Sequence, residues 1–178
     1  IAIARLVPSA DQGAGAFRLE AAATQGPPAA LADPSADDVA LVLHTSGTTS
    51  RPKLVPLSQR NICVSARNVR HSLALTPQDR GLNIMPLFHI HGLIAGLLAP
   101  LSAGSQVFCT PGFDALHFFR SMAQARPTWY TAVPTMHQTI LGRAERHADV
   151  IRANPLRFIR SSSSSLPPQV IHELEARF

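Results

Sequence analysis

Little in this chain points to a secreted, membrane-spanning or disulfide-stapled protein. Cysteine occurs twice in 178 residues, at Cys63 and Cys109, without metal-like spacing and without the density of a disulfide scaffold. Both thiols are therefore expected to be reduced, in a cytoplasmic setting. No apolar run reaches the length that crosses a bilayer, and the first residues lack the basic stretch and hydrophobic core of a secretory signal. Acidic residues are the scarcer charge. Eleven Asp and Glu stand against 16 Lys and Arg, a formal net charge of +5, which suits an anionic partner. The cations are dispersed, and with aromatics at 6% no stacking ladder accompanies them. Nucleic acid fits that pattern poorly and a nucleotide fits it better. What remains, 46% hydrophobic and 15% charged, is the composition of a globular domain with a substantial core.

One stretch organises the rest: Leu43-His44-Thr45-Ser46-Gly47-Thr48-Thr49-Ser50-Arg51-Pro52-Lys53. It is not the Walker A pattern, because no Gly-Lys-Ser or Gly-Lys-Thr triplet leads into a helix. Its chemistry still suits a polyphosphate. Gly47 lets main-chain N–H groups approach an anion, Thr45, Ser46, Thr48 and Thr49 offer hydroxyl donors, and Lys53 is a mobile point charge. Read from composition alone, the same residues also describe an ordinary surface loop.

Residues 1–37, rich in Ala, Pro and Gly, read mostly as loop, with a short strand at Ile1 to Leu6. From Val39 the chain alternates. Strands are expected at Val39 to His44, Leu82 to Pro86, Gln106 to Cys109, Thr128 to Val133 and Leu156 to Arg160. Helices are expected from Ser58 to about Leu73, from Gly92 to about Leu101, from Asp114 to Ala125, from Pro134 to about His147, and after Pro167-Pro168. Val39 to His44 is apolar enough to be buried on both faces of a sheet. The pattern predicts an α/β layered domain with a largely parallel sheet flanked by helices, ligands lying at the carboxyl ends of its strands.

Two further sites stand after predicted strands. His89 and His91 straddle one residue, so in an extended loop both point the same way, able to donate to a carboxylate or, if protonated, to pair with it. Zinc is a weak reading, since no Cys or carboxylate accompanies them at ligand spacing. The serine run Arg160 to Ser165 stands where the last strand ends, and its small residues could form the wall of a nucleotide site. His44, His71, His117, His137, His147 and His172 read as packing or solvent residues. Trp129 and Tyr130 read as core or as the border of a substrate pocket.

Thr45-Ser46-Gly47-Thr48-Thr49 followed by Arg51-Pro52-Lys53 resembles the phosphate-binding signature of the adenylate-forming enzymes, the superfamily of acyl-CoA synthetases, luciferases and peptide-synthetase adenylation domains. Ser50 and Leu54 depart from it, standing where that family usually has glycine. Pro86-Leu87-Phe88-His89-Ile90-His91-Gly92 resembles the second core motif. His44, Ser50-Arg51, His89 to Leu93 and Trp129 to Thr135 are similar to the oxalate–CoA ligase-like branch.

The resemblance implies that residues 38–178 are part of the large N-terminal domain of such an enzyme, without its lysine-bearing C-terminal domain. It implies ATP, Mg²⁺ and CoA as partners and a carboxylic acid substrate, short or dicarboxylic such as oxalate. It implies phosphate binding by Thr45, Ser46, Gly47, Thr48, Thr49 and Lys53, and adenosine binding by Ser162, Ser163 and Ser164. His89 matches the catalytic side chain that borders the acyl carboxylate, and His89 with His91 would form the acyl wall. Two other readings stand beside it: a non-catalytic nucleotide-binding relative, suggested by Ser50 and Leu54, and a basic interaction domain, suggested by net charge alone.

Overall fold

Residues spaced two apart on short strands decide which helices pack on which face of the central sheet. The computed structural model describes residues 4–12, 16–21, 33–45 and 53–178. The chain divides into two units, Ile1–Pro34 and Ser35–Phe178. In the first, β1 (Ala4–Pro8) pairs antiparallel with β2 (Phe17–Ala21). A hairpin therefore stands where the sequence reads mostly as loop. The glycines and prolines around it mask the alternation of two five-residue strands.

The second unit opens with another hairpin. β3 (Val39–Thr45) pairs antiparallel with β4 (Lys53–Ser58), Thr45 opposite Lys53. This corrects the expectation that Val39 to His44 is a fully buried strand. The ribbon is half exposed, with Val39, Val42 and Leu54 open to solvent. An apolar run does not reveal its partner, and Pro56 in β4 hides that partner, since proline is admitted only where the strand has a free edge. Ser58 then caps α1 (Gln59–Ser72). Its hydroxyl accepts from the Asn61 N–H at 3.2 Å and its own N–H donates to Asn61 Oδ1 at 3.0 Å, a reciprocal cap that fixes the helix start.

The main sheet is four parallel strands in the order β6-β5-β7-β8: β5 (Arg80–Asn83), β6 (Gln106–Cys109), β7 (Trp129–Ala132) and β8 (Phe158–Ser161). Between them run α2, π-helical over His91–Leu98 and α-helical over Ala99–Ser102, then α3 (Phe118–Ala125), α4 (Pro134–Ala144) and α5 (Ala148–Ala153), with α6 (Pro168–Arg177) last. Helix α5, unannounced by the pattern, breaks what reads as one approach to β8.

Registration puts Leu82 beside Tyr130 and Tyr130 beside Ile159. These side chains share one face and pack with Phe118, Phe119, Met122, Ile140 and Ile151. Gly81, Trp129 and Phe158 share the other face, where Trp129 packs with Ala66, Leu75, Ile94 and Ala99 of the α1–α2 layer. Trp129 and Tyr130 are therefore core residues, both essentially sealed from solvent.

At the amino ends of these strands Asp79 is nearly fully buried. It accepts from the Thr76 N–H at 2.8 Å, Thr128 Oγ1 at 2.9 Å and both Arg157 Nε and Nη2, at 3.0 and 2.9 Å. Burial pushes its carboxyl up, but the Thr76 N–H and the Arg157, Thr128 and Thr76 side chains outweigh it and hold the group below the usual carboxylate range.

Candidate nucleotide and acyl site

At the carboxyl ends the same alternation produces a polar row. Asn83 lies beside Thr131, and Thr131 beside Arg160, all on the face that carries Gly81, Trp129 and Phe158. The helix above is drawn onto this row through two glycines. A Cβ on Gly92 would lie 2.3 Å from the Pro86 carbonyl oxygen, and one on Gly96 would lie 2.5 Å from Asn83 Oδ1. Only a residue without Cβ permits that approach. Asn83 Nδ2 donates to the Gly92 carbonyl at 3.1 Å, and its Oδ1 accepts from the Met85 N–H at 3.2 Å.

His91 begins this helix and is set down on the row. Its Nε2 lies 2.6 Å from Thr131 Oγ1 and 2.9 Å from Arg160 Nη1, and its Nδ1 lies 3.1 Å from Ser163 Oγ. The residue is 7% exposed. Desolvation first, then the Arg160 charge and that of His137, bring its pKa down to about 4. His91 is thus neutral at physiological pH, which leaves it no charge with which to pair a carboxylate.

His89 goes elsewhere. It sits in a turn closed by its own N–H on the Pro86 carbonyl at 3.2 Å, exposed, its ring 4.6 Å from that of Phe88. The expectation that the two histidines point the same way fails because the backbone turns at residues 86–90 and enters a helix at His91. The two meet all the same at one cleft of about 560 Å³, whose walls include Leu43, His44, His89, His91, Val133 and Ser163. His44, which reads from sequence as a packing or solvent residue, stands on its wall. A second cavity of about 320 Å³ between β8 and α6 is lined mainly by Leu156, Ile159, Leu174 and Phe178. It gathers no comparable set of polar groups, so the first cleft is the better candidate.

The serine run leaves β8 directly into this cleft. The Ser162 N–H donates to the Ala132 carbonyl at 3.3 Å, and its Oγ accepts from Arg160 Nη2 at 3.2 Å. Ser163 has φ +78°, a left-handed conformation unusual for serine. Ser163 and Ser164 are exposed. Of the residues expected to bind phosphate, Thr45 and Lys53 are register partners at the end of the hairpin that residues 46–52 join, while Ser46, Gly47, Thr48 and Thr49 lie outside the described residues. Sequence reasoning passed over Asn83 and Thr131 as site residues, and included Arg160 only as the first residue of the serine run. The available signal was a polar residue near the carboxyl end of each of three adjacent parallel strands, two positions beyond Gly81, Trp129 and Phe158. Among the described residues no group of three or more His, Cys, Asp and Glu comes together that could hold a metal ion.

A profile of the family described as AMP-binding enzyme matches residues 4–178. The chain belongs to the AMP-binding enzyme family. Oxalate–CoA ligase of Arabidopsis thaliana is 49% identical to this AMP-binding chain over 144 residues, 80% of this chain and 28% of the relative. Oxalate–CoA ligase of Saccharomyces cerevisiae is 42% identical over 144 residues, 79% and 25% respectively. The crystal structure of ATP-bound MatB from Rhodopseudomonas palustris superposes with a TM-score of 0.71 at 29% identity, covering 82% of this chain and 28% of that one. The chain therefore spans about a quarter of the length of the proteins it matches, and its fold is the α/β layered one that its sequence pattern predicts. No helix among the described residues is long and apolar enough to cross a membrane.

Proposed function

We propose that this chain is the nucleotide- and acyl-binding part of an ATP-dependent acid–thiol ligase, with oxalate or a similarly short dicarboxylic acid as substrate. Residues 38–178 would belong to the large N-terminal domain, the catalytic lysine residing in chain beyond them, in keeping with the share of its relatives that it spans. The observation that carries the reading is the cleft in which the wall of the loop-bearing hairpin, the histidine motif and the serine run converge. Free Cys63 and Cys109 are in keeping with a cytoplasmic setting.

In the reaction, a carboxylate oxygen attacks the α-phosphorus of ATP, pyrophosphate leaves, and the CoA thiol then displaces AMP from the acyl-adenylate. Hydroxyls and main-chain N–H groups of Thr45, Ser46, Gly47, Thr48 and Thr49, with the Lys53 ammonium, would take up the negative charge that grows on the departing pyrophosphate. Ser162, Ser163 and Ser164 would border the adenosine, their small side chains letting a planar base lie against main chain. His89, exposed in its turn and free of the buried network that holds His91, would border the reacting carboxylate and move between the half-reactions. His91 would line the acyl pocket. A hard cation such as Mg²⁺ favours phosphate oxygens, and it would enter with ATP and share the charge neutralisation.

ATP–pyrophosphate exchange by the complete protein, with oxalate, malonate, acetate and a long-chain fatty acid in turn, tests this. Exchange confined to short acids and cut at least about tenfold by Lys53→Ala is expected. The 178-residue chain alone is expected to be silent. Nucleotide binding by a folded complete protein that exchanges with no acid would replace the ligase with a non-catalytic relative.

A further inference from the structure

Arg160 is a half-buried cation with no carboxylate partner among the described residues. Its Nη1 donates to His91 Nε2 at 2.9 Å and to Thr131 Oγ1 at 3.1 Å, and its Nη2 donates to Ser162 Oγ at 3.2 Å. All three partners are neutral, and so is the nearby His137, whose pKa desolvation holds down. A charge removed from water with only neutral company calls for a counter-ion. The guanidinium stands one imidazole behind the cleft, since His91 lines the cleft and touches it.

We propose that Arg160 determines specificity for a doubly charged acid, acting on the cleft both by its charge and by fixing the His91–Ser163 hydrogen bond. This rests on the ligase reading and sharpens it. An acid's reacting carboxylate loses its charge on adenylation. The second carboxylate of a diacid keeps its charge through both half-reactions, and a standing cation serves that second group.

The hydrogen-bond directions follow from arginine's chemistry. Arginine only donates, so His91 Nε2 must present a lone pair, and the ring proton is on Nδ1. That N–H then donates to Ser163 Oγ. The serine's own proton is turned away from His91, at an exposed residue on the cleft wall. The same bond helps hold Ser163 at its unusual φ of +78°. The cleft thus receives one oriented O–H donor backed by one uncompensated positive charge, a pairing that suits a fixed carboxylate better than an alkyl tail.

The test uses the complete protein as wild type, Arg160→Gln and Arg160→Lys, with oxalate and malonate against acetate and propionate. KM and kcat come from CoA ligation, and acid binding is followed by calorimetry in the presence of ATP or a non-hydrolysable analogue. For Arg160→Gln the expected result is a rise of about tenfold or more in KM for the diacids, against about twofold or less for the monoacids and for ATP. Arg160→Lys, which keeps the charge and loses the fork, is expected to recover most of the diacid preference. Equal losses for diacids and monoacids, or no recovery by lysine, would make Arg160 a structural residue only. A wild type that prefers monoacids, or that binds no diacid by calorimetry, overturns the inference without any variant. Oxalate binding that is lost in Arg160→Gln, from a protein that ligates no acid, would keep the inference and remove the ligase reading.

Discussion

Gly92→Ala sets two familiar effects against each other, and the structure says which wins. In a helix interior, alanine is favoured over glycine by about 1 kcal/mol, so propensity alone makes the substitution stabilising. The added Cβ would, however, lie 2.3 Å from the Pro86 carbonyl oxygen and 2.9 Å from both the Met85 oxygen and the Pro86 carbonyl carbon. All three are backbone atoms that cannot swing aside as a side chain would. Relief requires lifting the start of α2 off the turn at residues 86–90, which also strains the Asn83 bond to the Gly92 carbonyl. Overpacking of this kind costs about 1–3 kcal/mol, and with backbone on both sides the upper part of that range applies. The net expectation is a loss of about 1–2 kcal/mol, roughly 2–8 °C in Tm for a domain of this size. Gly142→Ala is the internal control: exposed in α4, with nothing within 4 Å of its Cβ, it is expected to gain about 0.5–1 kcal/mol. Urea unfolding of both variants in the complete protein reads the two signs. Gly92→Ala more stable than wild type would refute the close docking of α2, and with it the placement of His91 on the polar row.

Asp79→Ala removes the shared acceptor of the Thr76 N–H, Thr128 and Arg157. Since the Arg157 side chain is 42% exposed, the loss is expected at about 2 kcal/mol rather than the larger cost of a fully buried pair. Urea unfolding checks it against Asp149→Ala, which breaks a surface pair with Arg152 and is expected to change stability by about 0.5 kcal/mol or less. Stability should also fall as pH drops from about 6.5 to about 4. His91 has a folded pKa near 4, so in that window the unfolded chain takes up a proton that the folded one refuses. His137, likewise held down by burial although the Arg160 and Ala132 backbone pulls the other way, adds to the same slope. Unfolding free energies at pH 7, 6 and 5 should show His91→Gln with a shallower dependence than wild type, and an unchanged slope would mean that His91 is not the proton acceptor.

Much of the fold was legible because local chemistry and tertiary packing agree. The Ser58 cap, the strand at Gln106–Cys109 and the helix starts at Pro134 and Pro168 all stand as read. The failures have a common origin in information that one segment does not carry. Val39 to His44 is apolar enough for a central strand, but its partner β4 includes a proline and begins eight positions after Thr45, so its membership in a separate ribbon is a fact about pairing. The spacing of His89 and His91 implies a shared direction only if the backbone is extended. What bends it is the close approach allowed by Gly92, which depends on Pro86 and Asn83 being beneath.

Arginine on the approach to β8 and within it shows why the site was harder to read than the fold. Arg157 and Arg160 are three residues apart and chemically identical. Arg157, at the amino end, meets Asp79 through two nitrogens at 3.0 and 2.9 Å, an acceptor 78 positions earlier in the chain, and its charge is spent holding strands together. Arg160, at the carboxyl end, meets only a neutral imidazole and two hydroxyls. The difference lies in what the sheet offers at each level: at the amino end a carboxylate just before Arg80 of β5, two strands away, and at the carboxyl end Thr131 of the adjacent β7 and the start of α2. A parallel sheet whose strands enter from one end and present loops at the other sorts like residues into unlike tasks. The arginine that would discriminate between acids is the one that the fold has left without an acid of its own.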